Sequence, residues 1–461
     1  MINYYLKYNK KNLKSNIQKL ILELERIFKL EAIKIENTNS ENYPEVKQVI
    51  SSVEYRNLCN LIFTARKNIK KIPILNKYFK PAVKIENHKY KFADLFAGCG
   101  GLSLGLENAG FNCVFVNEID EVFAETHYFN NQIPLDNYYV GDINKLVSEI
   151  NLIKDKVSDL DLVCGGPPCQ GFSEANRQRV IDDPRNNLYK AYLQLLQTSK
   201  PKFFVMENVV GMAKKIDEII DNFNLYLNNE YDIHYSILNA HDFGAPQSRK
   251  RFFIIGNRIG VNTKQIFKDI KKEAGVNNFV LKDALENLPK LKPKHIRNNN
   301  DLENKEFGFT IAKQTTTRTK YIDFINNHKS IDYVLNHKNR YNNDRDIEIF
   351  TKLPQGANSL HSSIKNIMPY ASRNHMFKDK YYKLDETKTC KTITSHMKFD
   401  CNMYIHPNQP RGLSPREAAR VQTFPDDYFI RGSQNNWYAQ VGNAVPVKLA
   451  EIIGKHIIKY L

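Results

Sequence analysis

The spacing of apolar positions changes character along this 461-residue chain. Before residue 90, Ile17, Leu20, Ile21, Leu24, Ile27 and Phe28 recur three and four apart, the period of an amphipathic helix. Pro44, Pro73 and Pro81 interrupt that stretch, so it predicts several short helices rather than one long one. From residue 90 the pattern turns to short apolar runs separated by amphipathic stretches. The runs Phe92–Phe96, Cys113–Val116, Leu160–Cys164, Phe203–Met206, Ile233–Ile237 and Phe252–Gly256 read as strands. The intervals between them suit crossover helices, which predicts the α/β class with a doubly wound, mainly parallel sheet. Beyond about Pro289 the alternation fades. Residues 290–384 are polar, rich in Asn, Lys and Tyr, and predict a smaller, irregular domain. Definition returns at Thr392, and Leu449, Ile452, Ile453 and Ile457 form one face of a terminal helix.

In open α/β sheets, ligands gather beyond the carboxyl ends of the strands. The first run leads into Asp94-Leu95-Phe96-Ala97-Gly98-Cys99-Gly100-Gly101, which opens a helix. Glycines there let the backbone turn tightly and approach a ligand. The spacing differs from a dinucleotide GxGxxG, and alone the segment is equally a tight turn. Glu118, in Asn117-Glu118-Ile119-Asp120, is placed to bind ribose hydroxyls. In Gly141-Asp142-Ile143, Asp142 suits an adenine amino group and Ile143 its face. Singly, either acid is equally a solvated strand-end residue. Together, with no lysine-bearing phosphate loop, these segments favour an adenosine-containing cofactor without a pyrophosphate.

The segment Gly165-Gly166-Pro167-Pro168-Cys169-Gln170-Gly171-Phe172-Ser173 sets a cysteine on a proline-stiffened loop directly after a strand. A thiol there is a nucleophile where its surroundings lower its pKa. Cys99, Cys113 and Cys164 read instead as buried small apolar residues. Glu207-Asn208-Val209 ends a later strand, and Gln247-Ser248-Arg249-Lys250-Arg251 precedes the last one.

Taken in order, these segments resemble the DNA (cytosine-5)-methyltransferase family over nearly all of 92–258. The likeness resumes over 386–461, through Arg411-Gly412-Leu413-Ser414-Pro415-Arg416-Glu417-Ala418-Ala419-Arg420, Phe424-Pro425-Asp426 and Gln440-Val441-Gly442-Asn443-Ala444-Val445-Pro446. The resemblance implies the S-adenosylmethionine-dependent methyltransferase fold. It divides the chain into a helical N-terminal extension (1–89), a catalytic and cofactor-binding domain (90–289), a target-recognition domain with the RxLxxRE motif (290–430) and a C-terminal segment returning to the catalytic domain (431–461).

The implied activity is methyl transfer from S-adenosylmethionine to carbon 5 of a specific cytosine in double-stranded DNA. By resemblance, Cys169 adds to carbon 6, Glu207 engages ring nitrogen 3, and Arg249 and Arg251 hold the ring carbonyl and the active-site loop. Phe96, Gly98, Gly100, Glu118, Asp142, Ile143, Pro168, Leu188, Asn443 and Val445 would line the cofactor pocket, with no metal implied. The target base has to leave the stack to expose its faces. Residues 171–187, with Ser173, Arg177, Arg179 and Arg185, suit a loop closing over it. Region 290–384 would read the sequence. Arg297, Arg318, Arg340, Arg345 and Arg373 are its candidates for bidentate contact with guanine, although phosphate contacts are the commoner fate of such residues.

Charge sharpens this picture. The formal net charge is +17; residues 1–89 carry 18 Lys+Arg against 8 Asp+Glu, and 290–384 carry 18 against 9. Basic flanks around a near-neutral centre suit a polyanionic partner, or else a lysine-rich proteome. Seven cysteines, at 59, 99, 113, 164, 169, 390 and 401, form no CxxC pair and fit no disulfide framework, which points to a reducing compartment. No apolar run suits a membrane span, and the charged stretch Lys7 to Lys19 does not resemble a secretion signal. A cytoplasmic monomer is expected, with duplex DNA as partner and a cognate restriction endonuclease acting separately. Three alternatives stand against it. The tRNA-methylating branch is disfavoured by the long basic insert and by the lack of a Cys-Phe-Thr signature. A non-catalytic DNA-binding regulator is disfavoured by intact Cys169, Glu207 and Arg251. An NAD-linked enzyme fails on the glycine spacing.

Overall fold

The structure, a computed structural model, describes residues 89–131, 133, 137–168, 187–296, 305–313, 318–331, 333–369 and 380–461. The predicted helices of the N-terminal extension lie outside the described residues. The first part of the chain runs β1 (Tyr90–Leu95), α1 (Gly101–Ala109), β2 (Phe111–Glu118), α2 (Glu121–Asn131), β3 (Tyr138–Val140), α3 (Ile143–Ser148), α4 (Lys154–Val157), β4 (Leu162–Gly165), α5 (Asn187–Ser199) and β5 (Phe203–Asn208). It continues through α6 (Ile216–Tyr226), β6 (Asp232–Asn239), β7 (Lys250–Asn257), α7 (Thr263–Lys272) and α8 (Leu281–Leu285).

One seven-stranded sheet is ordered β3-β2-β1-β4-β5-β7-β6. The strands from β3 to β5 pair in parallel, and β7 runs antiparallel to both β5 and β6. All six predicted strands form. The sequence pattern misses β3, whose three half-buried residues are too few to show alternation. Strand order reverses between β1 and β4, the switch point at which such sheets open a ligand crevice.

Alternate residues of each strand enter cores on opposite faces. Phe92, Leu162, Cys164, Phe203 and Val205 pack with Leu106 of α1 and Ile266 and Ile270 of α7. Ala93, Leu95, Val163, Phe204 and Met206 pack with Tyr189 and Leu193 of α5 and Phe223 of α6. Because both faces are covered, the strands read as nearly unbroken apolar runs.

The remaining elements are β8 (Gly308–Lys313), α9 (Lys320–Ile325), β9 (Tyr333–Lys338), α10 (Asp344–Lys352), α11 (Pro415–Val421), α12 (Gln434–Asn443) and α13 (Val447–Ile458). Within 290–384, β8 and β9 form an antiparallel pair. Strand β9 is buried throughout yet contains Asn336 and His337. Asn336 exchanges two 3.0 Å hydrogen bonds with the backbone of Ile430, and His337 contacts Ser414 Oγ and the Pro289 carbonyl, each at 2.8 Å. Polar residues that find partners only through the tertiary fold hide the strand from a hydrophobicity pattern.

The terminal helix α13 packs on α1, with Leu449, Ile453 and Ile457 in the core and Ile452 at its margin. Glycines make that approach possible. A Cβ on Gly105 would collide with Ala450 and lie 2.5 Å from the Val447 carbonyl. The chain's end is thereby held against the helix that follows the glycine-rich loop.

Candidate active site

Strand register gathers the motifs along one edge. Leu95 pairs with Gly165, Gly165 with Met206, and Glu207 with Phe253. The loop after β1, the loop after β4 and the carboxylate of Glu207 are therefore neighbours.

On the β1 side the backbone is left-handed at Phe96, Gly98 and Gly100, with φ of 58°, 57° and 88°. This folding brings the Gly98 N–H to Glu118 Oε2 at 2.7 Å, while Ile119 and Asp120 N–H groups donate to Oε1 at 2.8 and 2.9 Å. Burial raises the Glu118 carboxyl above its ordinary range, against the pull of those donors. A carboxylate offers about four acceptor positions, so one stays open for a ligand hydroxyl. Around it lie open space over Gly98, where an added Cβ would meet nothing within 4 Å, and the exposed side chain of Ile119. Asp142 is exposed and caps α3 through the Asn144 N–H at 2.9 Å, with Ile143 buried beside it. Val445 is buried, Leu188 packs on the second-face core, and Asn443 and Pro168 are exposed. At Gly100 a Cβ would lie 2.8 Å from both the His127 ring and the Tyr428 hydroxyl, so only glycine fits there. Among the described residues expected to line the cofactor pocket are two acids and no Lys or Arg, a set suited to a neutral or cationic nucleoside and unsuited to a pyrophosphate.

On the β4 side, Asn208 Nδ2 donates to the Pro167 carbonyl at 2.9 Å, and Asn208 Oδ1 accepts the Val209 N–H at 2.9 Å. A Cβ on Gly166 would stand 3.1 Å from Glu207 Oε2, so glycine permits this closeness. Arg251 Nε lies 3.0 Å from Glu207 Oε1. Burial lifts the Glu207 carboxyl, Arg251 and then Arg249 pull it back, and the net direction is upward. A carboxyl biased towards its protonated form is what donation to a ring nitrogen requires. Cys169, Ser173, Arg177, Arg179 and Arg185 lie outside the described residues, as do Arg297 and Arg373.

Two arginines differ from the sequence expectation. Arg249 is fully buried and donates to the Ile393 carbonyl at 2.5 Å and the Gly442 carbonyl at 3.2 Å. Burial, followed by the neighbouring charge of Arg251, pushes its guanidinium down to about 9. It braces backbone in this structure rather than presenting a fork to a ligand. Arg340 likewise turns inward, onto the carbonyls of Met397 at 2.6 Å and Phe399 at 2.9 Å. Arg318 is exposed but paired with Asp323 at 2.6 Å. Arg345 is exposed on α10.

The structure also adds residues that the sequence reading passed over. Asn208 fixes the loop leading to Cys169, and its place beside Glu207 was the only signal. Beneath the glycine-rich loop, Ser103 Oγ donates to Asp94 Oδ2 at 2.5 Å and contacts His127 Nε2 at 2.9 Å. His127 Nδ1 in turn meets the Tyr138 hydroxyl at 2.8 Å. Nothing in the spacing of those four residues announces the chain.

The family model for C-5 cytosine-specific DNA methylases matches residues 90–459. The chain belongs to that family. It is a DNA cytosine-5-methyltransferase, and the sheet edge described above is where its motifs meet. Among relatives, the methyltransferase is 33% identical over 387 residues to the type II methyltransferase M.DdeI of Desulfomicrobium norvegicum, covering 80% of this chain and 88% of that one. It is 32% identical over 376 residues to the type II methyltransferase M.MthTI of Methanothermobacter thermautotrophicus, covering 80% and 97%. Among solved structures, a prophage-encoded protein of E. coli described as a DNA modification methyltransferase superposes with a TM-score of 0.62 at 26% identity, covering 80% of this chain and 99% of that one.

Proposed function

We propose that this methyltransferase is the modification enzyme of a type II restriction–modification pair. It takes its methyl group from S-adenosylmethionine, extrudes a specific cytosine from duplex DNA and activates it through Cys169. The observation that carries this reading is the adjacency of the Glu118-centred pocket to Glu207 and to the Gly166–Pro168 loop across the switch point. The names of the relatives support the type II assignment.

The residues present fit the cofactor. Ile119 and Phe96 offer apolar surface for a base, Asp142 an acceptor for an amino group, and Glu118 an acceptor for a ribose hydroxyl. When bound, S-adenosylmethionine supplies an electrophilic methyl on a cationic sulfur, and the acidic pocket tolerates that charge.

Carbon 5 of cytosine is a poor nucleophile until the ring is activated. The Cys169 thiolate adds to carbon 6, and the electron pair of the carbon 5–carbon 6 bond moves to carbon 5, which becomes able to take a methyl group. Glu207 donates to nitrogen 3 and stabilises the negative charge that this addition pushes into the ring. Arg251 fixes the orientation of Glu207. A base then removes the carbon 5 proton, and the thiolate leaves as the double bond re-forms. Extruding the base costs roughly a few kcal/mol, which DNA contacts have to offset.

The test is incubation of the purified chain with unmethylated plasmid DNA and tritiated S-adenosylmethionine, followed by bisulfite sequencing. The expected result is label at carbon 5 of cytosines within one short sequence. No transfer to duplex DNA, or transfer to tRNA alone, overturns the reading.

A further inference from the structure

We propose that Phe399 is an apolar wedge that stacks against the bases beside the extruded cytosine, and that Arg340 is the positioning residue that aims it. This rests on the reading of the chain as a base-extruding duplex DNA methyltransferase. Phe399 is 65% exposed and is the only phenylalanine among the large exposed apolar residues described. A lone exposed apolar residue is ordinary on a protein surface. The frame around this one is not ordinary.

Phe399 closes a tight turn, Ser395–Lys398, whose Met397 is anchored in a core with Ile393, Cys401 and Val441. The Arg340 guanidinium gathers that turn from behind, donating to the carbonyls of Met397 (2.6 Å), Lys398 (3.5 Å) and Phe399 (2.9 Å). The guanidinium itself stands over the Tyr438 ring, 5.6 Å from its centroid. A bidentate fork on consecutive carbonyls fixes the direction in which the following side chain projects. The aromatic ring is thus exposed on a rigid support, as a contact residue needs to be.

The position of the turn links it to the chemistry. The segment leading into it is sewn to the motif that carries Arg249 and Arg251. Cys390 N–H donates to the Pro246 carbonyl at 2.8 Å, Ser248 N–H to the Cys390 carbonyl at 3.0 Å, and Thr392 Oγ1 to the Ser248 carbonyl at 2.6 Å. Arg249 holds the Ile393 carbonyl. Backbone of Thr394 and Ser395 then presses on Gly442, the residue before Asn443, so closely that a Cβ there would collide with it.

The chemistry around the ring suits nucleic acid. Lys398 Nζ sits 4.9 Å from the ring centroid, and the His396 ring packs edge-on at 5.5 Å, with Asp400 3.8 Å from His396 Nε2. An ammonium beside an aromatic face complements a base flanked by its phosphate. Apolar side chains inserted at base steps unstack them, which is the deformation that base extrusion demands.

The experiment compares wild type, Phe399→Ala, Phe399→Trp and Arg340→Gln on two duplexes. Both carry the site that plasmid methylation reveals; one is fully paired, and the other has an abasic position opposite the target cytosine. Loss of one stacking contact predicts a fall of about 5- to 100-fold in kcat/KM for Phe399→Ala on the paired duplex. On the abasic duplex, where the base is already unpaired, the fall shrinks to within about threefold. Phe399→Trp keeps wild-type behaviour on both. Arg340→Gln repeats the duplex-selective loss, with S-adenosylmethionine affinity close to wild type. Equal losses on both duplexes, or no loss on either, overturn the inference while leaving the methyltransferase reading intact. A wild-type chain that methylates no plasmid cytosine overturns that reading and the inference together.

Discussion

Asn208 holds the carbonyl of Pro167 at 2.9 Å, so the strand that carries Glu207 also fixes the loop leading to Cys169. The proposed acid and the loop leading to the proposed nucleophile are located by consecutive residues of one strand. Asn208→Ala removes this clamp and leaves a buried carbonyl without that donor, at a stability cost of about 1–3 kcal/mol. Cytosine methylation slows by about tenfold or more, because misplacing a catalytic group is expensive in rate. Single-turnover kinetics beside equilibrium binding of S-adenosylmethionine checks this: the first falls and the second stays.

Glu207 is raised by burial despite Arg251, so its acid form persists to higher pH than a free glutamate. As pH climbs through that raised pKa, the proton offered to nitrogen 3 is lost and kcat declines. Glu207→Gln removes the proton donor while keeping the shape, and lowers kcat by about 10²- to 10⁴-fold. Its remaining rate lacks the alkaline decline assigned to residue 207. A pH–rate profile of the two proteins, at saturating DNA, reads both effects.

Much of this was legible because the sheet is buried on both faces and its ligands sit at strand ends. Runs such as Leu162-Val163-Cys164-Gly165 announce themselves by apolar continuity, and the motif after each run follows from where such sheets bind. What stayed hidden depends on distant pairing. Nothing near Arg249 in sequence says that Ile393 and Gly442 hold its fork. Arg340 reads as a surface arginine until Met397 and Phe399 fold onto it. Strand β9 is masked by Asn336 and His337, whose partners lie 94 and 77 residues further along the chain.

Asp94 is fully buried below the glycine-rich loop, and burial raises its carboxyl to about 7 from 3.8, while the Ser103 hydroxyl opposes the shift. Between those values the folded protein keeps a proton that the unfolded chain has lost. Stability therefore declines as pH rises from about 4 to about 7 and levels off above, by up to about 4 kcal/mol from this group. Asp94→Asn removes this component. Urea unfolding of both proteins across that range tests it, the mutant showing the shallower decline.

Gly105 lets α13 approach α1 until an added methyl would strike Ala450 and the Val447 carbonyl. Gly105→Ala pries the two helices apart and costs about 1–3 kcal/mol. Because Val445, proposed to line the cofactor pocket, lies two residues before α13, affinity for S-adenosylmethionine weakens as well. Thermal melting with and without the cofactor checks both: the melting point drops, and the increment gained on adding cofactor shrinks.

The transient bond between Cys169 and the target pyrimidine is tested most directly with a duplex carrying 5-fluorocytosine at the methylated position. Carbon–fluorine bonds resist the elimination that normally frees the enzyme. With S-adenosylmethionine present, the expected result is a protein–DNA adduct that survives denaturation, with peptide mapping placing the attachment on Cys169. An active enzyme that forms no adduct, or forms it through another residue, contradicts the account.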